Sequence, residues 1–194
     1  MGEQQVERHP FEPFRPEGAN VLMLGSFPPQ PKRWSMEFYY PNFINDFWRI
    51  IGIIFFNDKD HFVDQPAKKF RLREIKDFCS KKGIAMFDTA VAVRRLKDNA
   101  SDKFLEVVEA TDIPALLRRI PDCRAVVVTG EKASTTLCGT FGTEAPAVGD
   151  YSAFTFDGRD MRLYRMPSTS RAYPLPLRKK ADAYRRLFED IGSI

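Results

Sequence analysis

Short, unbroken apolar runs that each stop on a small or acidic residue constrain this chain more than any other feature. Val21–Leu24 ends at Gly25-Ser26, Ile84–Phe87 at Asp88 and Ala125–Thr129 at Gly130, while the strand-like Met161–Arg165, interrupted by Arg162, runs into Pro167-Ser168. Runs of this length without polar alternation read as strands buried on both faces, which is the habit of parallel sheets. Segments with helical spacing fall between them: Asn45–Phe55, with Asn45 or Asp46 near its N-cap, Ala67–Lys82 stopped by Gly83, Ile113–Ile120, Glu131–Leu137, and a basic amphipathic stretch over Leu177–Ile191. That alternation predicts a three-layer α/β/α fold around a mainly parallel sheet. Asp157-Gly158, flanked by Phe154–Phe156 and Met161–Arg165, predicts a hairpin. The Pro-rich residues 1–18 read as an irregular N-terminal arm, and residues 19–194 as a single domain.

In open α/β sheets, ligands bind beyond the carboxyl ends of the strands. Gly25-Ser26 and Pro167–Ser170 lie at such ends although they come from opposite parts of the chain, so the two loops predict one shared cleft. Between them, Phe38–Trp48 (FYYPNFINDFW) holds six aromatic rings and two asparagines in eleven residues. That block is too polar for a core and too aromatic for an ordinary surface.

The three cysteines, Cys79, Cys123 and Cys138, are odd in number and far apart, which reads as free thiols and gives no support to a metal or iron–sulfur site. No cofactor is implied. The N-terminal stretch lacks the apolar segment of a signal peptide and no run is long enough to span a membrane, so a cytoplasmic location is expected. The net charge is only +4, but residues 159–186 carry nine Lys and Arg against Asp160 and Asp182. Such a concentration suits a polyanion such as nucleic acid, and equally a solvated helix face.

Each constellation carries a bland and a sharp interpretation. Gly25 permits close backbone approach, and Pro28-Pro29 stiffens the exit, so the Ser26 and Phe27 amides could face a ligand; a tight turn would explain the same residues. Ser26 is a candidate hydroxyl, but the only histidines, His9 and His61, stand in no convincing context as a base, which argues against a Ser-His-acid hydrolase. Tyr40 precedes Pro41 in a loop, a natural platform for stacking a base, whereas Phe47-Trp48 reads as core. Asn42 and Asn45 are either helix caps or amides that position water. Asp88, with Arg94 and Arg95 following, is either half of an ion pair or a fixed acceptor of N–H groups. Uracil, hypoxanthine and xanthine carry ring N–H groups where cytosine and adenine carry a bare acceptor nitrogen, so a fixed carboxylate would favour deaminated bases. Ser168, Thr169 and Ser170, with Arg165 and Arg171 beside them, compose either a phosphate grip or an ordinary Ser-rich turn.

Together these residues resemble the uracil-DNA glycosylase superfamily from Val21 to about Leu187. VLMLGSFPP looks like its first motif, a strand followed by Gly-x-x-Pro. GIAMFDTAVAVR is similar to the base-reading strand and loop, with Asp88 where the uracil-specific branch has asparagine. VVVTGEKA resembles the strand-Gly-x-x-Ala segment, and MPSTSRA the second motif, which enters the minor groove. The hypoxanthine-DNA glycosylase-like branch is most similar: it shares Gly-Ser-Phe-Pro, and YYPNFINDFW keeps Tyr39, Tyr40, Asn45, Phe47 and Trp48 at equal spacing. Two departures stand out. Asn42-Phe43 replaces a His-Pro pair, and Phe27 occupies the place where other branches carry a water-activating Asp, Asn or Glu.

The resemblance implies a four-stranded central sheet and a monofunctional glycosylase, expected as a monomer, acting on DNA that contains a deaminated base, uracil or hypoxanthine, in base-excision repair. Asn45, with Asn42 as the alternative, would hold the water. Gly25, Ser26 and Phe27 would donate backbone hydrogen bonds to the departing base, Tyr40 would stack on it and Asp88 would read it. Ser168, Thr169, Ser170 and Arg171 would grip the strand, with Arg171 also placed to wedge into the gap, and Arg178 and Lys179 on the last helix would add charge. Two rivals remain open: a catalytically silent nucleic-acid-binding protein on the same fold, and a hydrolase or transferase of small phosphorylated metabolites. The absence of a Walker-type lysine pattern argues against the latter.

Overall fold

The computed structural model describes residues 5–97 and 104–194. In chain order its elements are β1 (Val6–Arg8), β2 (Val21–Gly25), a 3-10 turn (Pro31–Arg33), α1 (Phe47–Phe56), β3 (Val63–Asp64), β4 (Lys69–Phe70), α2 (Leu72–Lys82), β5 (Ile84–Asp88), β6 (Ala90–Arg95), β7 (Leu105–Ala110), α3 (Ile113–Arg118), β8 (Ala125–Val128), α4 (Glu131–Phe141), β9 (Asp150–Phe156), β10 (Arg159–Arg165) and α5 (Leu177–Asp190).

The central sheet has the order β5-β2-β8-β10-β9, in which the first four strands are parallel and β9 runs antiparallel to β10. The expected four-stranded sheet is therefore corrected to five strands. The extra one is the outer arm of the predicted hairpin, whose turn residues Asp157 and Gly158 have φ of 47° and 74°; two successive left-handed residues match the twist of paired strands. Val21, Leu22, Ala85, Val126 and Val128 are wholly buried, as the unbroken apolar runs require.

Helices cover both faces. Arg162 of β10 points toward α5 and donates to the Asp190 carbonyl at 3.2 Å, while Phe154, on the opposite face of the hairpin, stacks on Phe141 of α4 with ring centroids 4.4 Å apart. Phe55 of α1 meets Phe78 of α2 and Phe188 of α5, so these three helices share one side. No helix among the described residues is long and apolar enough to cross a membrane.

Two expectations about local structure change. The helix read over Ala67–Lys82 starts only at Leu72, because Lys69–Phe70 pairs with Val63–Asp64 and Lys68 sits at φ 49°, outside helical geometry. The N-terminal arm, whose first four residues lie outside the described residues, is not irregular throughout. β1 pairs antiparallel with β6, which pairs with β7 in a second, three-stranded sheet, and Phe14 bridges to Met86 on the edge of β5. That pairing carries the arm to the end of β5, where the cleft opens.

Candidate active site

The carboxyl ends of the parallel strands deliver Gly25, Asp88 and Thr129 to one side of the sheet, and the loop after β10 arrives beside them. Together with the aromatic block they enclose a cleft of about 590 Å³. Gly25, Ser26, Phe27, Tyr40, Asn42, Asn45, Asp88, Ser168, Thr169, Ser170 and Arg171 all line it. Arg178 and Lys179 do not: they lie exposed on the first turn of α5, outside the cleft.

The need for glycine at position 25 is steric. Gly25 is in register with Asp88 on the neighbouring strand, and a Cβ at position 25 would overlap the Oδ1 of Asp88. The Gly25 and Ser26 carbonyls accept from the Thr89 and Ala90 amides, which ties this loop to the turn following Asp88. Phe27 is buried against Ala90 and Val93, so its side chain serves packing.

Asp88 is buried at the end of β5 and tied to the N-terminal arm. Its Oδ2 lies 2.7 Å from Nε2 of His9, and the two side chains are 9% and 3% exposed. The two arginines after Asp88 are occupied elsewhere: Arg95 pairs with Glu7 at 3.0 Å through both Nε and Nη2, and Arg94 with Glu106 at 3.5 Å. The burial of Tyr39 and then the nearby Asp88 charge push the Tyr39 phenol well above its ordinary range, so it stays a donor, bonded to the Glu12 carbonyl at 2.8 Å.

Tyr40 adopts φ 53° and stacks on Phe47 with centroids 3.9 Å apart and planes 12° from parallel. Phe47 and Trp48 are core residues, as read from the sequence. Both asparagines brace the intervening turn. Asn42 Oδ1 accepts from the Ile44 amide at 3.2 Å, and Asn45 Oδ1 accepts from the Phe47 amide at 2.9 Å, which supplies the side-chain cap that Asp46 does not. Arg49, in the first turn of α1, reaches back to the carbonyls of Phe43 and Asn45 at 2.7 and 3.2 Å. Burial, then the neighbouring Arg171 charge, lowers the Arg49 pKa.

The loop after β10 is fastened from beneath. Lys180, 1% exposed, donates to the Ser170 carbonyl at 2.7 Å and pairs with Asp46 Oδ2 at 3.0 Å. Asp46 also donates its amide to the Thr169 carbonyl and faces Arg171 Nε at 3.4 Å, while the Tyr184 hydroxyl donates to the Pro167 carbonyl. Ser168 and Ser170 accept from the Ser170 and Ala172 amides, so both hydroxyls shape the turn that presents them.

Sequence reasoning missed His9 and Lys180. Lys180 carried a signal, since Lys180, Tyr184 and Leu187 recur at helical spacing on the buried face of α5. His9 carried none beyond a Pro-flanked position near Phe11. Neither histidine activates Ser26: the His9 ring is bonded at Nε2 to Asp88 and at Nδ1 to the Phe11 backbone, and His61 stacks on Phe56. Cys79, Cys123 and Cys138 are buried free thiols, and no metal-binding group of His, Cys, Asp and Glu occurs among the described residues.

No protein-family model and no curated protein matches the sequence. Among solved structures, the chain is similar to a candidate uracil DNA glycosylase from Methanosarcina acetivorans, determined by solution NMR. The identity is 20% over 97% of this chain and 99% of that one, with a TM-score of 0.62. The likeness runs nearly end to end and shows that the two chains share a fold.

Proposed function

We propose that this chain is a monofunctional DNA glycosylase that hydrolyses the N-glycosidic bond of a deaminated base, uracil or hypoxanthine, flipped out of the helix. The observation that carries the reading is the convergence in one cleft of a buried acceptor (Asp88), an aromatic platform (Tyr40 on Phe47) and the asparagine turn, beside the loop of Ser168 to Arg171. The shared fold with a candidate uracil DNA glycosylase supports it. Flipping is required because the bond is shielded within the base stack, and damaged pairs cost less to open.

In this mechanism Tyr40, backed by Phe47, stacks on the base, and Asp88 accepts its ring N–H. The C1′–N bond breaks with its electron pair leaving on the base, whose negative charge is met by the Ser26 and Phe27 amides. Water adds to C1′ and passes its proton to solvent or to the departed base, leaving an abasic sugar. Asn45 orients that water: its Oδ1 keeps a second lone pair after capping Phe47, and its amide nitrogen can donate. Ser168, Thr169, Ser170 and Arg171 hold the flanking phosphates.

The test is single-turnover release of free base from a duplex carrying uracil or hypoxanthine. Asn45→Ala should lower the rate about 100-fold, within the usual reach of a group that handles the attacking water, and Asn42→Ala should lower it less. The burial of Phe27, where relatives carry a water-activating side chain, favours the silent-binder reading as the alternative. That reading predicts duplex binding by the wild type with no base released.

A further inference from the structure

The His9–Asp88 pair joins the N-terminal arm to the cleft across 79 residues, and nothing in the mechanism above uses it. His9 does not line the cleft; it stands behind Asp88. Its backbone amide donates to Val91 at 2.8 Å, so it continues the β1–β6 pairing. Rings of Phe11, Phe27, Tyr39 and Phe87 surround the imidazole at centroid distances of 5.9, 5.4, 6.1 and 4.7 Å.

Both ring nitrogens are spoken for. Nδ1 lies 2.9 Å from the Phe11 carbonyl and 3.1 Å from the Phe11 amide, and Nε2 lies 2.7 Å from Asp88 Oδ2. In either protonation state of Nδ1, a carboxylate at Oδ2 requires the proton on Nε2. Oδ2 is then occupied by a donor, and the other oxygen, Oδ1, packs over Gly25. The carboxyl group cannot rotate without breaking the bond to His9, so Oδ1 is held as the oxygen beside Gly25 at the cleft.

We propose that His9 is a positioning residue that holds Asp88 as a one-sided acceptor and thereby sets discrimination between deaminated bases and their parents. The proposal rests on the glycosylase reading for its substrate, but the locked carboxylate stands on the geometry. A ring N–H finds its acceptor; the bare nitrogen of cytosine or adenine meets a second acceptor that cannot turn away. An unpaired acceptor in an enclosed site is costly, and that cost is the basis of selection.

The experiment uses the full chain with His9→Leu and His9→Gln. Leucine removes the donor, whereas the glutamine amide nitrogen reaches about as far as Nε2. His9→Leu should lose about 10- to 100-fold in selectivity for a uracil or hypoxanthine duplex over the undamaged one, and His9→Gln should recover most of it. Equal selectivity in wild type and a folded His9→Leu would overturn the proposal. A second measurement is independent of catalysis: in protein labelled with ¹⁵N-histidine, the His9 Nε2–H proton should appear at low field and be lost in Asp88→Ala. A wild type without base release but with this resonance would contradict the glycosylase reading and leave the lock standing. An Nε2 without a proton would contradict the lock itself.

Discussion

At the scale of single residues, Asp88 is held between Gly25 on one side and His9 on the other, and each neighbour makes a distinct prediction. Asp88→Asn must keep its oxygen toward His9 Nε2–H, which turns the new amide donor toward the cleft. That donor meets the O4 or O6 carbonyl which deaminated bases carry beside the ring N–H, so their preference over the parents should persist while the lost acceptor slows their release about 10-fold in a single-turnover assay. Gly25→Ala places a methyl group where Asp88 Oδ1 sits. It should cost about 1–3 kcal/mol in urea denaturation and abolish base release together. Gly25 and Asp88 were legible in the sequence because each ends an apolar run that could only be a buried strand. His9 was not legible: its role depends on three residues of β1 finding β6, a pairing that no local pattern in a Pro-rich arm announces. The buried thiols make a simpler check. Burial alone pushes Cys79 far up, and Cys123 is pushed up to about 11 by burial against the partial relief of its bonds and nearby arginines. Neither should react with a thiol reagent at neutral pH until the protein unfolds.

At the scale of elements, α5 has two jobs that its composition conceals. Its basic residues read as a single charged face, yet Lys180 is buried beneath the loop it fastens, whereas Arg178 and Lys179 face solvent. Lys180→Met should cost about 3 kcal/mol, because Asp46 would keep only its half-exposed contact with Arg171. An unchanged urea midpoint would contradict that role. Replacing Arg178 and Lys179 together with glutamine should leave stability within about 0.5 kcal/mol. If both meet phosphates, the slope of log affinity against log salt should fall by about 2. The hairpin was legible from Asp157-Gly158 and its outer arm from Phe154–Phe156; the four-strand count, taken from the resemblance, left that arm out of the sheet to which it belongs.

At the scale of the whole molecule, the parallel sheet brings two distant loops to one end, and the second sheet carries the N-terminal arm to the same place. The cleft is therefore built from both ends of the chain, and its chemistry is assembled only on folding. The loops, the aromatic block and Asp88 were expected to meet, and they do. What the sequence could not show was the support behind them: His9 behind Asp88, Lys180 and Asp46 beneath Ser170, and Arg49 beneath the asparagine turn. Each of these joins residues through tertiary contacts rather than spacing. The most direct measurement of the central claim is alkali-dependent strand cleavage of labelled duplexes carrying uracil, hypoxanthine or no lesion, with wild type beside Asn45→Ala. Cleavage at the lesion only after alkali, about 100-fold slower with Asn45→Ala than with wild type, is the predicted result. Intact strands on every duplex, from protein that still binds them, would contradict it.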